Sequence, residues 1–263
     1  MNLLEAIVLG LIQGLTEFLP VSSSGHLELG KYLFGMDHEA NFYFSIAVHG
    51  ATVLSTIIVL WKEIKGLLKG IFAFSLNEET IYVLKIFISM IPVGIAGFFM
   101  SSIAEKFFAG NMISLGFEFL ITALFLLLTL IIKPKERPMT YLDSFIIGLA
   151  QLLAIVPGIS RSGATIATGM MLGNKKTDIA KFSFLMVLIP VIGANLVEMT
   201  TGDFSKEGTS FYIIIIGFLT AFISGYFACK WMISIVKKGN LKWFAVYCII
   251  VGIYSILLGL NVF

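Results

Sequence analysis

Residue types capable of catalysis are concentrated near the start of the chain. A carboxylate, three hydroxyls and an imidazole fall within ten positions, in the group Gln13, Glu17, Ser22, Ser23, Ser24, Gly25 and His26. Gln13 and Glu17 are four residues apart, so on a helix their side chains share a face. Together these residues could bind a metal ion, supply a nucleophile and transfer a proton. Each serine alone could instead cap a helix, and His26 could make a structural hydrogen bond.

A second polar group surrounds an arginine in an otherwise apolar region and comprises Ser160, Arg161, Ser162, Gly163 and Thr165. A guanidinium pairs with phosphate through two parallel hydrogen bonds. Hydroxyls and free backbone N–H groups at the start of a helix add further contacts to an anion. An arginine at membrane depth costs about 2.5–3.5 kcal/mol, so it normally faces a partner or an aqueous cavity. The alternative is a purely structural pair with a buried glutamate.

The two groups belong to a motif that occurs twice. Gln13 recurs as Gln151, Gly25 recurs as Gly163, and the pair Phe44-Ser45 recurs as Phe182-Ser183, each 138 residues later. This offset is about half of the 263-residue chain. The repetition predicts two structural repeats, residues 1–138 and 139–263, within one membrane domain.

The composition indicates an integral membrane protein. Hydrophobic residues make up 58% of the chain and charged residues only 13%, with a mean hydropathy of +0.97. In soluble domains roughly a quarter of the residues are charged. The net charge of +2 is too small to indicate a nucleic-acid partner, so we expect membrane lipids around the protein and no nucleic acid.

Hydropathy predicts an all-α integral membrane protein with six transmembrane helices and two re-entrant helical hairpins. The hairpins, 1–38 and 141–173, are apolar segments interrupted by the two polar motifs. Irregular backbone at membrane depth must be buried in protein or line a wet cavity, because lipid cannot satisfy its hydrogen bonds. The predicted spans are 42–61, 80–100, 112–132, 181–199, 211–236 and 243–262.

The basic residues predict the orientation of these segments. Twelve of the eighteen lysines and arginines fall in four loops that the positive-inside rule assigns to the cytoplasm: Lys62, Lys65, Lys69, Lys133, Lys135, Arg137, Lys175, Lys176, Lys181, Lys237, Lys238 and Lys242. The first hairpin then enters from the outside and the second from the cytoplasm. Each half has three spans, an odd number, so the halves form an inverted-topology repeat. Transporters place substrate sites where such broken segments meet.

The chain resembles the bacterial undecaprenyl pyrophosphate phosphatase family, also known as bacitracin-resistance proteins, along essentially its whole length. The resemblance is carried by two long motifs, Gln13-Gly-Leu-Thr-Glu17-Phe-Leu-Pro-Val-Ser-Ser-Ser-Gly-His26 and Pro157-Gly-Ile-Ser-Arg-Ser-Gly-Ala-Thr165. It implies hydrolysis of undecaprenyl (C55) pyrophosphate to undecaprenyl phosphate and inorganic phosphate, which recycles the lipid carrier for peptidoglycan and other envelope polymers. It also implies a bacterial cytoplasmic membrane location, a site open to the outer face, and a divalent cation, Mg²⁺ or Ca²⁺.

The resemblance also assigns residues. Catalytic roles fall on Glu17, His26, Ser23 and Arg161, and pyrophosphate binding on Ser22, Ser24, Gly25, Ser160, Arg161, Ser162, Gly163 and Thr165. The metal ligands would be Glu17 and Gln13. The family accepts glutamate or glutamine at the position of Gln13, and a neutral amide leaves the negative charge to Glu17 alone. The nucleophile stays open between Ser23, His26 and water.

Two other functions are compatible with these residues. A carrier or flippase for a phosphorylated polyprenyl lipid would need the phosphate-binding groups but no nucleophile. A non-catalytic assembly factor would use the motifs only for packing. The sequence also leaves open whether the protein is a homodimer. Outside the motifs, His49 precedes Gly50 in a predicted span, and we expect it to make a structural hydrogen bond.

Overall fold

The computed structural model describes residues 1–35, 42–107, 111–132, 135–201 and 210–262. Within them the prediction of an all-α protein is confirmed, because they form twelve helices and no strand. The helices are α1 Leu3–Phe18, α2 Ser23–Leu33, α3 Phe42–Val59, α4 Trp61–Phe72, α5 Glu78–Phe107, α6 Met112–Ile131, α7 Tyr141–Leu153, α8 Arg161–Met171, α9 Lys176–Met186, α10 Leu188–Thr201, α11 Phe211–Lys238 and α12 Lys242–Gly259.

Five stretches of the described residues are long and apolar enough to cross a membrane, and the protein is therefore a multi-pass membrane protein. They lie in α5, α6, α9 with α10, α11 and α12. A sixth is obtained if α3 and α4 are counted as one span, although the chain bends by 74° between them. The predicted span 42–61 thus corresponds to α3 with the bend at its end.

The predicted span 181–199 corresponds to the apolar stretch Lys176–Val197, which is long enough to cross a membrane and is interrupted at Val187. Helix α9 begins earlier, at Lys176, and ends at Met186, and α10 begins at Leu188. Pro190 accounts for this break: it has no N–H to donate to the carbonyl of Met186, and its ring crowds that carbonyl. Pro190 also lines the cavity that is described below.

Each predicted hairpin is a pair of helices broken at its polar motif. Helices α1 and α7 both begin with a capping box, formed by Asn2 with Glu5 and by Thr140 with Asp143. Their partner helices α2 and α8 start inside the motifs. The last residues of the predicted first hairpin, 36–38, lie outside the described part of the chain, as does Lys133 among the basic loop residues.

Glycines let the hairpins pack closely against long helices of the other half. A Cβ atom on Gly10 of α1 would lie 2.6 Å from the carbonyl oxygen of Gly217 in α11. Its repeat counterpart Gly148 in α7 contacts the backbone of Ser89 in α5 in the same way. Close backbone approach at small residues is a common mode of helix packing in membranes. The two hairpins are thereby fixed against equivalent helices.

One hydrophobic core joins the two halves beneath the motifs. The rings of Phe18 and Phe184 meet edge to face with centroids 5.4 Å apart, and both side chains are buried. Val21 from the first motif and Ile166 from α8 belong to the same core. This packing holds the end of α1 against the start of α8, where the polar motifs lie.

Candidate active site

The two motif turns touch each other. The backbone N–H of Gly158 donates to Ser24 Oγ at 3.3 Å, and Ser162 Oγ donates to the carbonyl of Leu19 at 3.1 Å. The structure therefore brings together the two groups that the sequence places about half a chain apart.

The first turn, residues 19–22, connects α1 to α2 through a strained backbone. Ser22 has φ +71°, which is rare for a residue other than glycine. Its hydroxyl accepts from the N–H of Gly25 at 3.2 Å and so caps α2. Its carbonyl accepts from His26 Nδ1 at 2.7 Å. Strain of this kind persists only where neighbouring contacts hold it, and it is frequent at functional sites.

The second turn, residues 154–160, connects α7 to α8 and contacts α6. Gly158 has φ +93°, a conformation that favours glycine, and a Cβ atom there would collide with the Glu118 carboxyl group. The N–H of Ser160 donates to Thr122 Oγ1 at 2.9 Å. The hydroxyl of Ser160 accepts from the N–H of Gly163 at 3.0 Å and caps α8. The cap repeats the one that Ser22 makes in the first turn.

Glu17 is the centre of the site. Its Oε1 accepts from Arg161 Nη2 at 2.5 Å, and its Oε2 accepts from Ser23 Oγ at 2.5 Å and from Gln13 Nε2 at 3.0 Å. Only 11% of the Glu17 side chain is exposed, against 29% for Arg161. The remaining N–H groups of the guanidinium have no hydrogen-bond partner among the described residues. Arg161 is thus paired with a buried glutamate, yet it keeps donors free for an anion.

A cavity of about 250 Å³ opens beside this ion pair. Seven of the predicted residues line it: Glu17, Ser22, Ser23, Ser24, Ser160, Arg161 and Ser162. Its wall also contains Thr16, His49 and Gln151, together with the apolar residues Val93, Ala154, Ile155, Ile159 and Pro190. The cavity is therefore polar where the two turns meet and apolar where α5, α7 and α10 border it.

Two helix N-termini meet at this cavity. The backbone N–H groups of Ser23 and Ser24 in α2, and of Arg161 and Ser162 in α8, have no partner among the described residues. Free N–H groups in the first turn of a helix, together with the helix dipole, favour an anion. The N–H groups of Gly25 and Gly163 are already used by the capping serines, so these two glycines shape the turns and do not offer donors.

His26 does not line the cavity. Its ring is buried and stacks on Tyr247 of α12, with centroids 5.5 Å apart and planes 7° apart. Nδ1 lies 2.7 Å from the carbonyl of Ser22, and Nε2 lies 2.8 Å from the hydroxyl of Tyr247. Because a carbonyl can only accept, Nδ1 carries the proton and Nε2 accepts from the tyrosine. Both ring nitrogens are therefore occupied, and the catalytic role predicted for His26 stays a prediction.

Thr165 also lies behind the site. Its hydroxyl lies 2.6 Å from the hydroxyl of Ser183 in α9 and donates to the carbonyl of Arg161 at 2.8 Å. Thr165 is buried and is not part of the cavity wall. It is placed to hold α8, and with it Arg161, against α9.

Three polar residues of the cavity wall, Thr16, His49 and Gln151, were not among the predicted site residues. Gln151 of α7 is buried, and its Oε1 has no hydrogen-bond partner. It is the counterpart of Gln13 in the second repeat, so the repeat itself could have indicated it. His49 of α3 lies outside both motifs. Its Nδ1 lies 2.9 Å from the carbonyl of Ser45, which is the structural hydrogen bond expected from the sequence.

The donor set does not fit a resident divalent cation. Among the described residues no group of three or more His, Cys, Asp or Glu side chains could hold a metal ion. Glu17 is the one carboxylate of the cavity wall, and both its oxygens accept from other groups. Gln13 turns its Nε2 toward Glu17, and its Oε1 is buried without a partner. Gln13 and Glu17 alone would leave most of an ion's coordination sphere unfilled.

The chain matches the family model described as Bacitracin resistance protein BacA over residues 6–254. Among similar curated proteins, an undecaprenyl-diphosphatase of Bacteroides fragilis is 50% identical over 260 residues, covering 97% of this chain and 98% of the relative. One from Bacteroides thetaiotaomicron is 51% identical over 261 residues, covering 98% and 99%. One from Thermosipho africanus is 42% identical over 256 residues, covering 96% and 99%.

Proposed function

Because the chain belongs to the Bacitracin resistance protein BacA family, we propose that it is an undecaprenyl-diphosphatase. It hydrolyses undecaprenyl pyrophosphate to undecaprenyl phosphate and inorganic phosphate, and so regenerates a lipid carrier for peptidoglycan and other envelope polymers. Relatives with this name match nearly the whole chain. The observation that carries the proposal is the contact of Glu17 with both Ser23 and Arg161 at the edge of the cavity.

The diphosphate binds where the two helix N-termini meet. The free N–H groups of α2 and α8 and the unpaired donors of Arg161 surround the polar end of the cavity. Ser24, Ser160 and Ser162 add hydroxyls there. Phosphoryl transfer is accelerated mainly by placing such groups where negative charge accumulates in the transition state. Here these groups are fixed before substrate arrives, because caps and turn contacts hold both helix ends.

Ser23 is the nucleophile in this mechanism. Its Oγ attacks the terminal phosphorus, and its proton passes to Glu17 Oε2, to which it already donates at 2.5 Å. The bond from that phosphorus to the bridging oxygen breaks, and undecaprenyl phosphate leaves with the electron pair. The alternative attack by His26 would require its Nε2 to leave Tyr247 and reach a cavity that His26 does not line.

His26 and Thr165 act in this mechanism as positioning residues. His26 bonds the carbonyl of Ser22 and so supports the strained turn that presents Ser23. Thr165 ties α8 to Ser183 and thereby supports Arg161. Neither His26 nor Thr165 lines the cavity itself.

The apolar end of the cavity suits the prenyl chain. Val93 of α5 and Pro190 of α10 face it from two sides, and Ile155 closes it at the end of α7. Beyond them Ile91, Ile95, Ile189 and Ile192 are exposed on the outer surface of the helices. A lipid tail that leaves the cavity past Val93 and Pro190 would meet further apolar side chains of α5 and α10.

The inverted-topology repeat with boundaries 1–138 and 139–263 is supported by contacts among the four basic loops. Lys181 pairs with Glu63 at 2.6 Å, the N–H of Arg137 donates to the carbonyl of Gly173 at 3.0 Å, and Lys176 lies beside Gly239. The loops that the sequence assigns to the cytoplasm therefore gather at one end of the molecule. We propose on this basis that these loops share the cytoplasmic side of the bacterial cytoplasmic membrane, and, from the family resemblance alone, that the site opens toward the outer face.

We propose that the divalent cation, Mg²⁺ or Ca²⁺, binds to the protein together with the diphosphate. Phosphate oxygens would have to complete its coordination, because the described residues do not form a metal site by themselves. The mechanism above therefore assigns the steps to side chains of the chain alone.

The test is phosphate release by detergent-purified protein from undecaprenyl pyrophosphate, with Mg²⁺ or Ca²⁺ present. Glu17→Gln and Arg161→Ala are expected to abolish release while the proteins remain folded. Leu54→Ala, which changes an exposed side chain of α3, serves as the control and should retain full activity. Absence of release by well-folded parent protein with both ions would refute the phosphatase. It would favour a carrier of phosphorylated lipid, to be tested by transport across vesicles.

A further inference from the structure

His49 is a residue of the cavity wall with acid–base chemistry that the mechanism above does not use. It lies on α3 and lines the same cavity as Glu17, Ser23 and Arg161. An imidazole is the side chain best suited to exchange protons near neutral pH. Its presence in a phosphate-binding cavity therefore requires an explanation beyond packing.

The hydrogen bond of His49 fixes which ring nitrogen is basic. Nδ1 lies 2.9 Å from the carbonyl of Ser45, one helical turn earlier, and a carbonyl can only accept. Nδ1 therefore carries the proton, and the lone pair is on Nε2. Nε2 has no hydrogen-bond partner among the described residues. His26 is the opposite case, because the hydroxyl of Tyr247 occupies its Nε2.

Only two groups of the cavity wall can take up a proton readily. They are Glu17 and His49, because Arg161 stays protonated and the serine hydroxyls are very weak bases. The carboxylate of Glu17 already accepts hydrogen bonds from Arg161, Ser23 and Gln13. Once it has taken the proton of Ser23, it has no capacity for a second one. A water molecule that enters the cavity would then have His49 as its acceptor.

We propose that His49 is a catalytic residue, the base that activates the water that removes phosphate from Ser23. The inference rests on the proposed function and on Ser23 as its nucleophile. The water oxygen bonds to the phosphorus of phosphorylated Ser23 while its proton passes to Nε2 of His49. The bond from phosphorus to Ser23 Oγ breaks, and Oγ takes back the proton held by Glu17. Inorganic phosphate leaves, and His49 releases its proton to solvent.

Because His49 acts only in the second step, its replacement should slow that step and leave the first step unchanged. In His49→Gln the first step needs only Ser23, Glu17 and the phosphate-binding groups, so it should proceed. The second step loses its base and should slow by about a hundredfold or more. The enzyme would then release about one equivalent of undecaprenyl phosphate and stop as a phosphoserine form.

The experiment uses full-length protein and undecaprenyl pyrophosphate labelled with ³²P in its terminal phosphate. His49→Gln is expected to give a burst of undecaprenyl phosphate and an acid-stable label that a second substitution, Ser23→Ala, removes. Imidazole added to His49→Ala should restore steady phosphate release, a result that a packing role would not produce. Leu54→Ala on the same helix is the matched control and should behave as the parent does.

Two results would overturn the assignment. One is steady turnover by His49→Gln at the rate of the parent protein. The other is a folded His49→Gln that gives neither burst nor label, since His49 would then act before or during the first step. If the parent protein itself releases no phosphate, the proposed function has failed instead, and the two failures are therefore distinguishable.

Discussion

Removing Arg161 should leave a buried charge without its counterion. In Arg161→Ala, Glu17 keeps hydrogen bonds only from Ser23 and Gln13, which are neutral donors. Breaking a fully buried ion pair from one side typically costs about 3–5 kcal/mol. The Glu17 side chain is 11% exposed and Arg161 is 29% exposed beside a cavity that can admit water. We therefore expect a loss below that range, about 2–3 kcal/mol of unfolding free energy.

A second substitution separates the charge from the packing. Arg161→Ala combined with Glu17→Gln leaves no uncompensated charge, so the double variant should be more stable than Arg161→Ala alone. The gain should be about 1–2 kcal/mol, within the usual coupling range for contacting residues. Neither variant should release phosphate. The double variant recovers stability, but it still lacks Arg161 and the carboxylate of Glu17.

The measurement is denaturant unfolding in detergent micelles, followed by tryptophan fluorescence, on the parent, both single variants and the double variant. Leu54→Ala provides a reference for an exposed position on a neighbouring helix. If the double variant is no more stable than Arg161→Ala, the lost unfolding free energy comes from the packing of the arginine side chain. It does not then come from the Glu17 carboxylate left without a counterion. Parental stability in Arg161→Ala would refute the reasoning altogether.

Three further predictions concern the surroundings of the site. Gly158→Ala should destabilise the fold by about 1–3 kcal/mol in the same unfolding assay, because φ is +93° and a Cβ atom would collide with Glu118. Tyr247→Phe should lower stability by about 1–3 kcal/mol, because it strands Nε2 of His26, while turnover measured by phosphate release changes little. Chelation of divalent ions should leave the melting temperature of substrate-free protein unchanged, since the described residues hold no metal cluster, whereas phosphate release should fall.

Much of the architecture could be predicted because membrane helices follow from local features. Apolar length identified the spans, and the polar motifs identified both hairpin breaks. The span 181–199 was also identified, but its interruption at Val187 was not, since the effect of Pro190 depends on context. Pro92 lies inside the unbroken helix α5, whereas the helix around Pro190 divides at Val187. Hydropathy averages over such a residue and does not distinguish the two outcomes.

The candidate site could be predicted less completely, because side-chain directions depend on contacts between distant parts of the chain. The meeting of Glu17, Ser23 and Arg161 followed from treating the two motifs as one site. The direction of His26 did not, since it is set by the unusual φ of Ser22 and by Tyr247, 221 residues further along the chain. His49 carried no motif, and only the packing of α3 against the hairpins places it at the cavity.

The two copies of the sequence motif agree at some positions of the candidate site and differ at others. At the offset of 138 residues, Ser22, Ser24 and Gly25 correspond to Ser160, Ser162 and Gly163, and both capping serines make the same bond to the glycine N–H. Positions that differ between the copies carry the charge and the proton chemistry. Glu17 corresponds to Ile155, Ser23 to Arg161, and His49 to Val187. Two identical copies could form a symmetric phosphate cradle, but attack on one end of a diphosphate needs a nucleophile on one side and a cation on the other. Divergence at these few positions supplies that asymmetry, and a change that removes the proton chemistry of Glu17 or His49 should leave binding less affected than turnover.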